Sequence, residues 1–377
     1  MKIIGHYSNN VMKKRLTKRK NKPPDSQRLT HYKENSTLNK KTLLSNYTKF
    51  SNVNGLKIGC YNIYYNRIVR GDNYKKGSRI NPKVSFHHIK TLLKNCNFDI
   101  LCLQEVIFGD NVNKSYYPDK DKHFKKEGKY WKRKDNGYFG KPGHLGIRGG
   151  DFSKTEKEYK MFCKWLHQNN YYFKENRPYS SFYDKSFGNM IIYRKDFKII
   201  KELNKRSIIN TDSTEPETRG FIILKFMYNN KCFTVCNTHL TEKPGNKQII
   251  MIEKILNQKL MNDNTPTFIC GDMNISNRNA LPLEVKQFIT KKGYPFLQDV
   301  NNFYSILKKY KYTSIHDICK KNNCTIPTAW NSVPVDYIGG KNISSKNIKA
   351  IALFPSINNK NEGISDHDCI GMTVEIY

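Results

Sequence analysis

The sequence lacks the features that mark membrane, secreted and zinc-binding proteins. No stretch approaches the roughly 18 consecutive apolar residues that a membrane-spanning helix needs. The chain opens with Met1-Lys2-Ile3-Ile4 and turns polar at once, without the apolar core of a signal peptide. The 10 cysteines include no CxxC pair, which argues against a zinc site, and half of them lie inside apolar runs. We therefore expect an intracellular protein with reduced, buried thiols and no transmembrane segment.

Acidic residues are also scarce. The chain has 66 Lys and Arg against 32 Asp and Glu, so its formal net charge is +34. Such an excess attracts polyanions, with nucleic acid as the first candidate partner and an anionic membrane surface as the second. Because Lys, Asn, Ile and Tyr are abundant throughout the chain, part of this charge reflects general composition rather than a binding site.

Two segments concentrate positive charge without a clear apolar pattern. Residues 1–50 contain 13 Lys and Arg and 2 Asp and Glu, so we predict that residues 1–52 form a disordered basic tail. Such a tail suits a nucleic-acid arm, a nuclear-localisation signal or a plain solvated extension. Residues 108–152 mix basic and aromatic residues around Tyr130-Trp131-Lys132-Arg133-Lys134, which suits either stacking on bases or a solvated insertion.

The remaining part of the chain, residues 53–377, alternates predicted strands and helices and indicates one large α/β domain. Asn229-Asn230 lies between two apolar runs and predicts a hairpin turn. The strands are predicted over residues 56–63, 98–105, 188–194, 219–226, 232–236, 268–272, 335–338 and 369–376, and the helices over residues 84–95, 156–169, 248–261 and 283–291.

Polar residues follow the predicted strands where each strand ends. One such segment is Phe268-Ile269-Cys270-Gly271-Asp272-Met273-Asn274. Asp272 and Asn274 are two positions apart, so in an extended chain they project to the same side. A carboxylate beside an amide suits positioning a water and binding an oxyanion. Each such residue alone is compatible with a turn, a cap or a solvated strand end. Their recurrence predicts one shared site at the edge of a sheet. The other residues of this pattern are Asn62, Glu105, His239, Asp336 and Asp366-His367.

The ordered set resembles the endonuclease/exonuclease/phosphatase superfamily, and it extends over about residues 55–377. The resemblance implies a four-layer α/β sandwich, in which two mostly antiparallel sheets pack face to face between helices. It also implies a metal-dependent phosphodiesterase. The matching pieces are Tyr61-Asn62-Ile63, Leu103-Gln104-Glu105, Gly188-Asn189-Met190-Ile191-Ile192, Asn237-Thr238-His239-Leu240, Gly271-Asp272-Met273-Asn274, Val335-Asp336-Tyr337-Ile338 and Ser365-Asp366-His367-Asp368.

The resemblance assigns a metal site and a water-activating residue. Glu105 would bind Mg²⁺, with Mn²⁺ as the alternative, because these cations prefer oxygen ligands. Asn62 would help to position the metal or the phosphate, and Asp366 would lie near the metal. Asp272 would orient or deprotonate the attacking water, and Asn274 would donate a hydrogen bond to a phosphate oxygen.

The resemblance assigns the remaining residues to the phosphate and the leaving group. Asp336 would pair with His367, fix its tautomer and favour the imidazolium, which stabilises the charged phosphate. His239 would hold the phosphate or assist the leaving group. Asn189 and Arg219 are weaker candidates for substrate contacts, because each lies at the start of a predicted strand and is also compatible with a solvated position.

Three functions fit these patterns. The basic composition, tail and insertion favour a Mg²⁺-dependent nuclease or DNA-end-processing phosphodiesterase. The same site pattern also fits a phosphodiesterase or phosphatase for lipid or inositol headgroups, although the exposed apolar hairpin expected of a sphingomyelinase is not evident. A non-catalytic nucleic-acid-binding relative is the third reading, and the complete set of polar residues argues against it.

Overall fold

The fold is that of a computed structural model of the 377-residue chain. The structure describes residues 1–4, 40–64, 67–68, 79–108, 124–127, 130–133, 151–177, 187–208, 219–241, 247–275, 300–321, 335–356, 365 and 367–376.

Most strands of the described chain belong to two large sheets, and each predicted strand overlaps one of them. The strands are β1 (Lys2–Ile4), β2 (Leu56–Asn62), β3 (Arg67–Ile68), β4 (Arg79–Ile80), β5 (Ile100–Ile107), β6 (Phe124–Glu127), β7 (Tyr130–Arg133), β8 (Tyr171–Asn176), β9 (Phe187–Arg194), β10 (Lys198–Lys205), β11 (Phe221–Tyr228), β12 (Lys231–His239), β13 (Thr267–Asp272), β14 (Thr313–Ser314), β15 (Asp336–Lys341), β16 (Ile348–Phe354) and β17 (Cys369–Val374).

The first sheet has the strand order β1-β16-β17-β2-β5-β9-β8, and the second has the order β10-β11-β12-β13-β15-β14. Three neighbouring pairs, β1–β16, β2–β5 and β12–β13, are parallel, and the other pairs of these sheets are antiparallel. The prediction of two mostly antiparallel sheets is therefore confirmed. Strand β10 was not predicted from the sequence. It is an exposed edge strand rich in lysine, and such a composition gives no apolar pattern.

Helices cover the outer faces of both sheets. The α-helices of the described chain are α1 (Lys40–Ser51), α2 (Pro82–Cys96), α3 (Asp151–Gln168), α4 (Lys247–Leu256), α5 (Val300–Lys309) and α6 (Ile315–Lys321). The structure also describes short 3-10 helices over Lys259–Met261 and Ser345–Asn347. The predicted helix over residues 248–261 thus ends early and continues as a 3-10 turn. The prediction for residues 283–291 lies outside the described residues.

Among the described residues, three hydrophobic clusters separate the layers. One cluster fills the space between the sheets and includes Ile58 of the first sheet and Val235 of the second. Another joins the first sheet to α1, α2 and α3, and the third joins the second sheet to α4 and α5. Strand residues alternate between clusters: Leu101 faces the helices and Cys102 faces the other sheet. This is the predicted four-layer α/β sandwich.

Local signals explain where several elements begin and end. The Asn81 side chain accepts a hydrogen bond from the Val84 amide at 3.3 Å, which caps α2 just before its first residue, Pro82. The predicted hairpin turn at Asn229-Asn230 is confirmed, since both residues have positive φ values, 47° and 59°. That geometry belongs to a two-residue turn that matches strand twist.

The folded part begins before the predicted boundary at residue 53, so the prediction for residues 1–52 needs correction. Helix α1 packs on the first sheet through Tyr47 and Phe50, and the Phe50 side chain is 0% exposed. Strand β1 pairs in parallel with β16. The strong average charge of the segment concealed the helical spacing of these aromatic residues. Residues 5–39 lie outside the described residues.

The predicted insertion at residues 108–152 is described only in part. Strands β6 and β7 form a hairpin of their own, paired from Phe124 opposite Arg133 to Glu127 opposite Tyr130. Helix α3 begins at Asp151, before the predicted end of the insertion. The rest of the insertion after Phe108 lies outside the described residues.

Candidate active site

The polar strand ends meet at one edge of the sandwich. Parallel pairing places the carboxyl ends of β2 and β5 together, and likewise those of β12 and β13. Asp336 begins the antiparallel strand β15 and lies directly opposite Asp272 in the ladder. The cluster is buried between the sheets and combines six expected residues: Asn62, Glu105, His239, Asp272, Asp336 and His367.

The Asp272 carboxylate lies at the centre of this cluster. Its Oδ2 accepts a hydrogen bond from Asn62 Nδ2 at 2.9 Å and lies 3.6 Å from His239 Nε2 and 3.7 Å from His367 Nε2. Its Oδ1 accepts the backbone amide of Asn274 at 2.8 Å. Burial raises the pKa of Asp272 to about 7, although the neighbouring His367 imidazole opposes that shift. A carboxyl with such a pKa suits proton transfer near neutral pH.

Asp336 and His367 form the expected pair. His367 Nδ1 lies 2.8 Å from Asp336 Oδ2, and both side chains are buried. Because a carboxylate oxygen accepts hydrogen bonds, Nδ1 carries the proton and Nε2 faces Asp272. His316 of α6 donates from Nε2 to the Asp336 carbonyl oxygen at 2.7 Å and so supports the pair. The sequence contained no signal that His316 lies here.

Ser365 joins the His367 segment to the end of β2. Its hydroxyl donates to the Asn62 carbonyl oxygen at 2.7 Å and accepts the His367 amide at 3.1 Å. The serine was part of the recognised motif, but the sequence analysis gave it no role. Asp366, which was expected near the metal, lies outside the described residues.

His239 lies between two hydrogen-bond donors. Arg219 Nη1 is 2.9 Å from its Nδ1, and Asn274 Nδ2 is 3.0 Å from its Nε2. Burial, followed by the charge of Arg219, holds the pKa of His239 well below its usual range, so the imidazole is neutral. The Asn274 amide also donates to the Leu240 carbonyl oxygen at 2.8 Å. Because a neutral imidazole accepts at one ring nitrogen only, Arg219 donates to Nδ1 and orients His239, whereas Asn274 Nδ2 lies beside the protonated Nε2.

Glu105 enters the site from an irregular part of β5. It is not a glycine, yet its φ is +56°, and the β5–β9 register shifts between Leu103 and Val106. This β-bulge turns the side chain into the site, where Oε1 accepts from Asn62 Nδ2 at 3.2 Å and lies 3.8 Å from His239 Nε2. A strand pattern read from sequence cannot show such a bulge.

Asn189 is buried beside this cluster rather than in contact with its centre. Its amide donates to the Gly220 carbonyl oxygen at 3.2 Å and reaches Asn176 Oδ1 at 3.5 Å. These bonds hold the backbone that follows Arg219. The amide of Asn189 thus bonds to protein groups beside the cluster, whereas Arg219 reaches His239.

The profile of the Endonuclease/Exonuclease/phosphatase family matches residues 52–338. The chain belongs to this family. Members of the family are hydrolases that act on phosphate esters. No curated protein sequence shows significant similarity to the chain.

Solved structures of the family share the fold. A family member from Bacteroides vulgatus has a TM-score of 0.51 and 12% identity over 86% of this chain and 100% of that chain. A family member from Beutenbergia cavernae has a TM-score of 0.51 and 13% identity over 86% of this chain and 72% of that chain. At this low identity the likeness shows the fold alone.

The donor set at this family site fits a hard divalent cation. Glu105 and Asp272 present carboxylate oxygens, the ligands that Mg²⁺ prefers, and both accept hydrogen bonds from Asn62 Nδ2. The Asn62 Oδ1 accepts a hydrogen bond from the Tyr64 amide at 2.9 Å. Asn62 therefore orients the two carboxylates through its N–H group and does not present Oδ1 to the cation.

A second group of candidate ligand atoms lies on Asp272, Asp336 and His367, and these atoms are all within 4.8 Å of one another. Its imidazole is already paired with Asp336 through Nδ1, and an imidazole suits a transition metal better than Mg²⁺. The Glu105 carboxylate is therefore the better match for Mg²⁺. None of the described helices is long and apolar enough to cross a membrane.

Proposed function

We propose that this chain is a Mg²⁺-dependent phosphodiesterase that hydrolyses nucleic acid, as an endonuclease or a DNA-end-processing enzyme. The observation that carries the proposal is the contact of Asp272 with both imidazoles and with the amide that also orients Glu105. This arrangement supplies a base, charge-stabilising groups and a cation site around one small volume.

Asp272 is the base that takes the proton of the attacking water. Its carboxyl has a pKa of about 7 because it is buried, which suits a base that works near neutral pH. Two amides, from the Asn62 side chain and the Asn274 backbone, hold the carboxylate oriented. The water must therefore approach the centre of the cluster, where both imidazoles face it.

His367 and His239 serve different purposes. The Asp336 carboxylate fixes the proton on His367 Nδ1, so that Nε2 takes or gives a proton next to the phosphate and stabilises its negative charge. His239 stays neutral beside Arg219 and orients the phosphate. Arg219 contributes positive charge at this edge of the site.

Glu105 would hold Mg²⁺, with Asn62 orienting its carboxylate and Asp366 as a further ligand. A bound Mg²⁺ would neutralise charge on the phosphate and on the leaving oxygen. Removal of the divalent cation is expected to abolish hydrolysis without unfolding the protein, because the described carboxylates are already held by amides.

The net charge of +34 supports nucleic acid as the substrate. The exposed edge strand β10 adds Lys198, Lys201 and Lys205 to the described surface, and its end lies beside Gly220 and hence near Arg219. Binding through phosphates predicts an affinity that falls steeply as the salt concentration rises.

The test is a panel of plasmid DNA, abasic-site oligonucleotide, 5′-tyrosyl DNA, RNA and sphingomyelin, each with Mg²⁺, with Mn²⁺ and with EDTA. Glu105→Gln, which keeps the shape of the side chain and removes its charge, is the matched control. Metal-dependent cleavage of a nucleic acid by the wild type alone supports the proposal. Cleavage of sphingomyelin alone, or no hydrolysis of any substrate, refutes it.

A further inference from the structure

The bulge that aims Glu105 has a defined geometry. In the β5–β9 ladder Leu103 pairs with Met190 and Val106 pairs with Gly188, so Gln104 and Glu105 together face the single residue Asn189. Two residues opposite one is the definition of a β-bulge, which leaves backbone groups without their ladder partners. These groups lie in the buried interior between the sheets, where an unpaired carbonyl is costly.

A side chain from the other sheet binds this bulge. Asn237 of β12 is 0% exposed, and its Nδ2 donates to the carbonyl oxygens of Leu103 and Met190, each at 2.9 Å. Its Oδ1 accepts Gln104 Nε2 at 2.7 Å. One amide group therefore bonds both strands of the bulge and one of the two bulged residues.

Asn237 also belongs to the strand that carries His239. Residues i and i+2 of a strand point to the same face, so both side chains face the first sheet. The distance from His239 Nε2 to Glu105 Oε1 is 3.8 Å. The Asn237 bonds thus fix the position of the Glu105 backbone relative to the strand of His239.

We infer that Asn237 is a positioning residue: it locks the bulge in β5 and thereby aims Glu105 at the cation site, without contacting the substrate. Its catalytic consequence rests on the proposed function, but its effect on the bulge does not. The positive φ of Glu105 requires such support, because this backbone conformation is unfavourable for a residue with a side chain.

Asn237→Leu tests the inference, since leucine keeps the volume and removes all three hydrogen bonds. We expect the affinity for Mn²⁺, measured by electron paramagnetic resonance on the protein without substrate, to fall by about 10- to 100-fold. We expect kcat to fall by a similar factor of about 10 to 100, with KM nearly unchanged, because the substrate contacts remain.

Thr267→Val is the matched control. Thr267 is 0% exposed at the other end of the strand that carries Asp272, and its hydroxyl donates to the Thr265 carbonyl oxygen at 2.9 Å. Its replacement removes a buried hydrogen bond of the same sheet without touching the bulge. We expect it to lower stability while Mn²⁺ affinity and kcat stay at wild-type values.

Gln104→Met keeps the inference testable if Asn237→Leu does not fold. It removes the bond to Asn237 Oδ1 and the longer contacts of the Gln104 amide with Cys60 Sγ and the Cys102 carbonyl oxygen. Both bonds from Asn237 Nδ2 to the backbone remain, so we expect a smaller loss of Mn²⁺ affinity in the same direction. Crystal structures of the folded variants should show Glu105 leaving its positive φ or turning away from Asn62.

The outcomes separate this inference from the proposed function. Unchanged Mn²⁺ affinity together with an unchanged Glu105 conformation in the variants would overturn the positioning role, whatever the activity. A wild-type protein that neither binds Mn²⁺ nor hydrolyses a phosphodiester refutes the proposed function instead. In that case the conformation of Glu105 in the variant crystals still decides the role of Asn237.

Discussion

His88 predicts a loss of stability in mild acid. It lies on the buried side of α2 at 5% exposure, its ring packs edge-on against Tyr61 at 5.7 Å, and its Nε2 has no hydrogen-bond partner among the described residues. Burial lowers the pKa of His88 from 6.5 to about 4. The unfolded chain therefore binds a proton at a higher pH than the folded protein does.

The sign and size of the pH effect on the free energy of unfolding follow from this difference in pKa. The full stability is present above about pH 6.5, and it is lost as the pH falls towards about 4, because only the unfolded chain gains the proton there. A pKa difference of roughly 2.5, at about 1.36 kcal/mol for each pH unit, lowers the free energy of unfolding by about 3 kcal/mol in total. At about pH 5 the loss is about 2 kcal/mol.

The assay compares wild type with His88→Phe, which keeps an aromatic ring against Tyr61 and cannot titrate. Urea unfolding followed by tryptophan fluorescence gives the free energy of unfolding at about pH 7 and about pH 5. The stability difference between the two proteins should change by about 2 kcal/mol in favour of the variant at the lower pH. His87→Phe, at an exposed neighbouring position on the same helix, is the control and should keep the wild-type pH dependence. Equal pH dependence of wild type and His88→Phe would refute the reasoning.

Four further predictions concern the site, the core and the charge. Glu105→Gln should keep the fold and lower kcat by about 10²–10³, measured with saturating Mg²⁺, and near wild-type turnover would remove Glu105 from the mechanism. In a kinetic cycle, Asp336→Asn combined with His367→Ala should be little slower than His367→Ala alone, because the pair acts as a unit, and fully additive losses would separate the two residues. Phe50→Ala should lower the free energy of unfolding by about 3–5 kcal/mol, since Phe50 contacts Phe98 and Phe354 in the core, and a loss near zero would contradict the packing of α1. Replacing Lys13-Lys14-Arg15 and Lys18-Arg19-Lys20 with glutamine should leave kcat unchanged and make nucleic-acid affinity less dependent on salt, and an unchanged salt dependence would exclude the segment from binding.

The sequence predicted those parts of the fold that have a local pattern. Apolar runs that end in a polar residue located β2, β5, β12 and β13, because buried strands and their functional ends both leave a short-range signal. The partnership of Asp336 with His367 came only from the family resemblance, because nothing local connects residues so far apart. His316 could not be predicted, since its role depends on where α6 packs.

Two other features were beyond the reach of residue patterns for different reasons. The bulge at Glu105 depends on the partner strand and on Asn237 from the other sheet, which no single strand encodes. Helix α1 was missed because the average charge of residues 1–52 outweighed Tyr47 and Phe50. Segment averages conceal short amphipathic elements at the edge of a basic stretch.

The division of the active site between two sheets has a mechanical consequence. Asn62 and Glu105 belong to the first sheet, whereas His239, Asp272 and Asp336 belong to the second, and side-chain hydrogen bonds such as those of Asn62 and Asn237 join the sheets across an otherwise apolar interior. A sliding of one sheet over the other by a single residue step, about 3.3 Å, would leave every ladder intact and still pull the cluster apart. Mild denaturant or pressure should therefore abolish hydrolysis at conditions where the far-UV circular dichroism spectrum of the protein is still native. Turnover would therefore report small displacements of one sheet relative to the other.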